Sequence, residues 1–218
     1  MRKSVRITGL VILGLVLTAG TYEAWRVLDA RTRTPALIAD ALKDTDPEIA
    51  RLTPERIAIL LAVEDPTFWT NDGTDFASPG AGATTISQGL GKLIYFDDFE
   101  PGLKKIELML MTKYAMTPLV SKRDILNAFL NRAWMSRDQA GPIYGFAEAA
   151  RRYHGKPLSL LSDDEYLSLV AMLHSPAAMN PLRHPKENAQ RVARIKRLLA
   201  HRCTPDGNTD VSLKGCAV

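Results

Sequence analysis

Glu64 has the position in this sequence that best suits acid–base chemistry. It stands with Asp65 at the end of an apolar run, LLAVED, and an aromatic pair and a glycine turn follow in FWTNDG. A carboxyl group at the end of a helix, beside a loop, is held firmly and is still open to a substrate. Apolar neighbours raise the pKa of such a carboxyl and suit it to general acid or base catalysis. The pattern predicts a catalytic carboxylate, and a helix-end acid with no further role is the alternative.

Glu107 is a second acid with cations close to it. Lys104 precedes it by three residues, so the two share one face of a helix, and Lys92 lies on an earlier helix. Carboxylates flanked by lysines would suit a reaction at a sugar carbon with a phosphate leaving group. A surface ion pair between Lys104 and Glu107 is the alternative that the spacing leaves open.

Periodicity and capping residues predict the helices that would carry these groups. Thr53, followed by proline and an acid, opens a helix that ends near Val63. Ser121 and Ser162 open two later helices with capping sequences. The segment TTISQGLGKLIY predicts a helix with two interior glycines, and PIYGFAEAARRYHG predicts another. Strand signals are scarce, so we expect a compact all-α domain of about eight helices.

The N-terminus predicts a membrane anchor. Arg2, Lys3 and Arg6 precede the apolar run ITGLVILGLVLTAGTY, and Tyr22 and Trp25 come at its far end. The run has about 16 residues, near the lower limit for crossing a bilayer core of roughly 30 Å. The basic flank predicts a cytoplasmic N-terminus and export of everything that follows. A cleaved signal peptide is the alternative, because small residues end the run.

The remainder divides by composition. Residues 1–28 would form the basic tip and the anchor, 29–50 a polar connector with a short helical piece, 51–200 the catalytic domain and 201–218 a polar tail. The sequence has two cysteines, Cys203 and Cys216, and both lie in that tail. A disulfide that closes the tail is plausible for an exported domain.

The net charge of +4 is mildly basic and suits a surface that faces anionic lipid, phosphate or nucleic acid. The last helix carries much of this charge, and we interpret its basic residues as a solvated face. A role with nucleic acid would require the prediction of export to be wrong, so we expect no nucleic-acid partner. The residues of that face are Arg191, Arg194, Lys196 and Arg197.

Five segments resemble, in order, the motifs of the family 51 glycosyltransferases, which are the peptidoglycan glycosyltransferase domains of penicillin-binding proteins and of monofunctional enzymes. The first four family patterns are E-D-x-x-F-x-x-H-x-G, G-x-S-T-I-T-Q-Q, R-K-x-x-E and K-x-x-I-L-E-x-Y-L-N. The resemblance covers about residues 55–195, and five weak motifs in order make a specific signal. No transpeptidase domain follows, so we expect the monofunctional type. The segments are EDPTFWTNDG, GATTISQGLGK, LKKIE, KRDILNAFLN and AARRYHGK.

The resemblance implies a lysozyme-like α fold and the polymerisation of lipid II into glycan strands. Glu64 matches the catalytic base, which would take the proton from the acceptor 4-hydroxyl as it attacks the anomeric carbon with inversion. Undecaprenyl pyrophosphate would leave. Glu107 matches the second carboxylate, associated with the donor and with a divalent metal ion, magnesium or manganese. Lys92 and Lys104 match cations that would meet the pyrophosphate.

Other matched positions would shape the cleft and bind the substrate: Asp65, Phe68, Thr85 and Gln88. The family's partners are lipid II, the nascent strand and the membrane, and other wall-synthesis proteins are possible partners. We therefore expect a single-pass protein of the bacterial inner membrane with an extracytoplasmic catalytic domain. Ile94, Tyr95 and Phe96 look exposed and could dip into lipid.

The sequence also departs from the family patterns at several polar positions. Two alternatives therefore stay open: a scaffold that binds lipid II without turnover, and a lytic transglycosylase or muramidase with Glu64 as the acid. The lysines argue against the second, because cleavage of a glycosidic bond has no pyrophosphate to neutralise. The departures are Asn71 for His, Gly89 for Gln, Leu93 for Asn, Leu103 for Arg, Asn127 for Glu and Phe129 for Tyr.

Overall fold

The structure is a computed structural model that describes residues 2–217, with side chains from Ile7 onward. The predicted all-α domain behind an apolar N-terminal helix is confirmed, although one short hairpin interrupts the helices. The helices are α1 (Arg2–Leu42), α2 (Pro47–Ala50), α3 (Pro54–Glu64), α4 (Ile86–Tyr95), α5 (Leu103–Met111), α6 (Thr117–Leu119), α7 (Lys122–Arg132), α8 (Phe146–His154), α9 (Asp163–Met172) and α10 (Pro185–Leu199). Strands β1 (Trp134–Asp138) and β2 (Gly141–Tyr144) form the hairpin, and a π-helical turn, Thr112–Met116, joins α5 to α6.

Helix α1 serves both the apolar N-terminus and the folded domain. Its stretch from Ile7 to Leu28 exposes large apolar side chains, and Ile7–Leu42 is long and apolar enough to cross a membrane. The helix continues to Leu42, so the first part of the segment 29–50 is helical. Four residues of its second half are buried in one stripe at helical spacing, Ala30, Thr34, Ile38 and Ala41. One continuous helix therefore connects the apolar segment to the domain core. The predicted basic side chains at its tip lie outside the described residues.

The predicted helix starts are confirmed by their caps. Thr53 accepts from the Arg56 amide at 3.4 Å, and Ser162 forms a complete capping box with Glu165. The Ser121 hydroxyl accepts from the Asp124 amide at 3.1 Å. These local bonds set where α3, α7 and α9 begin, and the end of α3 carries Glu64.

The β1–β2 hairpin was not predicted from the sequence. Its register pairs Trp134 with Tyr144 and Arg137 with Pro142, so the expectation of a helix over PIYG is wrong. Gly145 has a φ of +78°, and a Cβ there would lie 2.4 Å from the Asn131 carbonyl oxygen. A side chain cannot be placed there, and this glycine forces the turn that delays α8 to Phe146.

The two glycines inside α4 mark close helix packing. A Cβ on Gly89 would lie 2.9 Å from the ring of Phe129 on α7, and a Cβ on Gly91 would lie 2.8 Å from Leu108 on α5. Helix α4 therefore approaches both neighbours more closely than a larger residue would allow. Tyr95, expected to be exposed, is instead buried, and its hydroxyl bonds to Thr34 of α1 at 2.7 Å.

Candidate active site

Glu64 ends α3 in a mostly enclosed position. Its side chain is 22% exposed, and its Oε1 is buried without a hydrogen-bond partner. The nearest cation is the buried guanidinium of Arg191 on α10, whose Nη2 lies 3.8 Å from that oxygen. Burial raises the pKa of Glu64 to about 7, with Arg191 opposing the rise and Asp65 adding to it. A carboxyl with a pKa near neutrality suits a general base.

Asp65 connects α3 to the start of α4. It is buried, and it accepts from the Ile86 amide at 2.9 Å and from Asn71 Nδ2 at 2.7 Å. Burial raises its pKa to about 6 against the lowering effect of these bonds and of Lys122. Asn71, which stands where the family has histidine, also accepts from Lys122 Nζ at 3.0 Å. This network holds the two helices that frame the site.

Three other matched residues support the cleft from within. Phe68 is fully buried, with the Lys122 ammonium 4.8 Å from its ring centre, so it packs in the core and is not exposed to a ligand. Thr85 Oγ1 and Gln88 Nε2 both donate to the Gly73 carbonyl, at 2.8 and 3.0 Å. These bonds join the loop that follows α3 to the first turn of α4.

One cleft contains both Glu64 and Lys92. Its volume is about 230 Å³. Burial lowers the pKa of Lys92, whose ammonium lies 5.3 Å from the ring centre of Phe99. A candidate base and a cation that could meet a leaving group therefore line the same cavity. The remaining lining residues are Thr84, Thr85, Ile86, Gly89, Leu93, Phe129, Ala133, Trp134, Leu173 and Pro176.

A larger groove adjoins this cleft through shared residues. It has a volume of about 720 Å³, and Lys92 and Leu93 line both cavities. The groove lies among the end of α1, the loop after α4 and the hairpin, where it is lined by Asp40, Phe99 and Tyr144 among others. An extended ligand could thus pass Lys92 from one cavity to the other.

Lys105 was not among the predicted site residues, but it approaches the first turn of α4. Its Nζ donates to Thr84 Oγ1 at 2.8 Å and to Gln88 Oε1 at 2.7 Å. Burial, with Lys92 nearby, lowers its pKa to about 8. Lys104 instead donates to the Asp98 carbonyl at 2.7 Å on the exposed side. The motif LKKIE contains two adjacent lysines, and the sequence alone does not show which of them faces α4. The orientation of α5 places Lys105, and not Lys104, against α4.

Glu107 does not line the Glu64 cleft. Its carboxylate is buried and forms an ion pair with Arg26 of α1. Lys104 and Glu107 therefore have different partners in this structure, the Asp98 carbonyl and Arg26. No short-range sequence pattern pointed to Arg26, because α1 brings it from far along the chain.

The residues around Glu107 do not form a protein donor set for a metal ion. Its carboxylate is already paired with Arg26, and the described residues contain no group of three or more His, Cys, Asp or Glu side chains placed to hold a metal. The divalent ion implied by the resemblance stays a prediction.

Several departures from the family patterns lie together on the cleft wall. Gly89, Leu93 and Phe129 all line the Glu64 cleft, and the ring of Phe129 occupies the space beside Gly89. Leu103 is 82% exposed, and Asn127 lines a separate groove near α2. The cleft thus has apolar groups where the family has amides and a phenol, while Glu64 and Lys92 are kept.

The basic residues of α10 do not form one solvated face as predicted. Arg191 is only 4% exposed and faces Glu64, and Arg194 donates to the Ser212 carbonyl at 3.0 Å.

Cys203 and Cys216 form a disulfide in the structure, with Cα atoms 5.2 Å apart.

The chain is similar in sequence to known transglycosylases and penicillin-binding proteins. The sequence model described as Transglycosylase matches residues 35–200. A Cupriavidus necator protein named as a candidate transglycosylase is 26% identical over 202 residues, covering 86% of this chain and 84% of its own length. Penicillin-binding protein 1B of Vibrio cholerae is 29% identical and that of Escherichia coli 30%, each over 64% of this chain. The chain spans only about a fifth of those two proteins, 20% and 18%. Because the family match extends from the end of α1 through α10 and includes every residue of the cleft, the chain belongs to the transglycosylase family.

Proposed function

We propose that this chain is a peptidoglycan glycosyltransferase that polymerises lipid II into glycan strands. The observation that carries the proposal is the single cleft in which Glu64, with a pKa of about 7, accompanies the partly buried ammonium of Lys92. A base and a cation in one cavity suit displacement of a phosphate-linked leaving group by a hydroxyl.

The proposed reaction is one inverting displacement. The acceptor 4-hydroxyl loses its proton to Glu64 as its oxygen forms a bond to the anomeric carbon of the donor. The bond from that carbon to the pyrophosphate oxygen breaks, and undecaprenyl pyrophosphate leaves with the electron pair. Lys92 stabilises the negative charge that builds on the leaving oxygens, and its partly buried position makes that interaction stronger than it would be in water.

Helix α1 supports a lipid-linked substrate and a location in the inner membrane. Large apolar side chains from Ile7 to Leu28 are exposed, and the same helix packs into the domain from Ala30 onward. With no flexible linker between them, the apolar segment would hold the cleft at a constant height above a bilayer. A substrate whose polyprenyl chain stays in the membrane would meet a cleft at that height.

The test is a polymerisation assay with the full chain in detergent and labelled lipid II. We expect a ladder of glycan strands from the wild type and from Glu100→Gln, a matched change at an exposed glutamate. Glu64→Gln should abolish the ladder, because an amide cannot take the proton. An unchanged ladder from Glu64→Gln would refute the assignment of the base. Runs with magnesium, with manganese and with a chelator test the divalent ion.

The apolar cleft wall favours one second candidate, a lipid II-binding scaffold without turnover. Gly89, Leu93 and Phe129 remove polar groups that the family patterns contain. Its signature in the same assay would be no ladder from the wild type, with lipid II binding unchanged in Glu64→Gln. Digestion of purified sacculi would instead favour the lytic alternative.

A further inference from the structure

The C-terminal segment forms a disulfide-closed loop, which we call the clasp and define as residues 203–216. The Cys203–Cys216 disulfide joins its two ends. The clasp lies beyond residues 35–200, the part of the chain that matches the transglycosylase family.

The clasp first holds the loop that leads into the active site. The amides of Gly80 and Gly82 donate to the carbonyls of Gly207 and Asn208, both at 2.9 Å. The Asn208 side chain returns two bonds, to the carbonyls of Ser78 and Gly82, both at 3.0 Å. Four hydrogen bonds thus fasten residues 78–82 to the clasp. That loop ends at Thr84 and Thr85, which line the Glu64 cleft.

The fit between the two loops needs glycine on the active-site side. A Cβ on Gly82 would lie 2.5 Å from Cγ1 of Val211, and a Cβ on Gly80 would lie 2.7 Å from Pro205. Both glycines also have positive φ, +73° and +78°. The side chains of Val211 and Pro205 therefore pack directly on this glycine backbone.

The clasp also holds the cation that faces Glu64. Arg191 Nη1 donates to the Val211 carbonyl at 2.7 Å, and its Nη2 lies 3.8 Å from Glu64 Oε1. A guanidinium is planar, so a bond at one nitrogen sets the direction of the other. Arg191 is almost completely buried, and among the described residues its Nη atoms donate no other hydrogen bond.

We propose that the clasp is a positioning element of the active site, with Arg191 as the positioning residue that transmits its effect to Glu64. The Val211 carbonyl orients the guanidinium, the guanidinium orients the Glu64 carboxylate, and the glycine loop keeps Thr84 and Thr85 at the cleft wall. This inference rests on the proposed function for its activity readout. The alternative is a clasp that only stabilises the fold.

The first experiment compares oxidised wild type with Cys203→Ser/Cys216→Ser and with Asn208→Ala, which keeps the disulfide. All are assayed well below their own unfolding midpoints, so that a loss of stability does not appear as a loss of activity. We expect kcat to fall about tenfold in both variants with KM little changed, because misplacement of a catalytic group costs rate before binding. Unchanged kcat in both would overturn the proposal.

A second pair of variants isolates Arg191. We expect Arg191→Met to lower kcat at least as much as loss of the disulfide, and Arg191→Lys, which keeps the charge, to restore part of it. Equal activity of Arg191→Met and wild type would refute the positioning role. Should Arg191→Met fail to fold, Asn208→Ala still decides the outcome.

Hydrogen exchange gives a readout that needs no substrate. Amides of residues 78–85 should exchange faster once the disulfide is reduced, with the α9 amides as the internal control. An inactive wild type with this change would refute the proposed function and leave the clasp contact standing. Unchanged exchange would refute the proposal that the clasp holds residues 78–85 in place.

Discussion

Replacing the buried carboxyl of Glu64 by an amide should stabilise the protein, and the gain should depend on pH in a defined direction. Glu64 has a pKa of about 7 in the folded chain against an ordinary value of 4.5. A carboxyl with a raised pKa favours folding below its unfolded pKa, and that contribution is lost as the pH rises through the folded value. The difference of about 2.5 pKa units, at about 1.4 kcal/mol each, gives about 3 kcal/mol. Glu64→Gln avoids this cost, because a neutral amide does not ionise.

The assay is denaturant unfolding of Glu64→Gln and wild type in detergent at pH 4.5 and at pH 8. We expect the free energies of unfolding to be similar at pH 4.5 and the variant to be more stable by about 2–3 kcal/mol at pH 8. Titrating groups that do not interact with Glu64 are common to both proteins, and their contributions cancel in the difference. Glu100→Gln, at an exposed position, is the control and should show no such trend. A difference that is flat with pH would mean that Glu64 is not held in a desolvating site.

The remaining predictions concern the rate, the α1 contact and the α4 packing. The rate of glycan synthesis should rise with pH up to about 7 and then level, because Glu64 must be deprotonated to act as a base; a rate that is flat from pH 5 to 8 would contradict that role. Arg26→Met should lower the free energy of unfolding by about 3 kcal/mol, because the Glu107 carboxylate would stay buried without its partner. In a double-mutant cycle, adding Glu107→Gln should recover most of that loss. Additive losses would show that the two residues do not interact. Gly89→Ala should lower the melting temperature through its clash with the Phe129 ring, and Phe129→Leu should relieve the loss; a more stable Gly89→Ala would show that α4 and α7 can separate without cost.

The dependence of the reaction on a metal ion is a separate question, because the Glu107 carboxylate is already paired with Arg26. Any divalent ion in the reaction would have to draw donors from the substrate as well as from the protein. The chelator arm of the polymerisation assay measures this directly.

The elements that sequence predicted well are those whose signals are local. Caps at Thr53, Ser121 and Ser162 set the starts of α3, α7 and α9 through hydrogen bonds that span three residues. The position of Glu64 at the end of α3 follows from the same kind of local signal. The ordered motifs were enough to identify the family, because spacing along the chain needs no tertiary contact.

The elements that sequence predicted poorly depend on long-range contacts. The sequence predicted a helix from Pro142 onward, but residues up to Tyr144 belong to strand β2, and the close approach of Gly145 to the Asn131 carbonyl prevents a helix there. The sequence of the second half of α1 is mostly polar, because only one narrow stripe of it, around Thr34 and Ile38, is buried. A polar connector was therefore predicted there.

The sequence by itself determined the family, the carboxylate at the end of α3 and the helical class, because these depend on local hydrogen bonds and on the order of motifs. Only the tertiary structure decided the partners of the two acids. Arg26 reaches Glu107 from α1, and Arg191 reaches Glu64 from α10 while held by the clasp. Such partners come together only when distant helices pack, and burial by that packing is the largest cause of the raised pKa of Glu64.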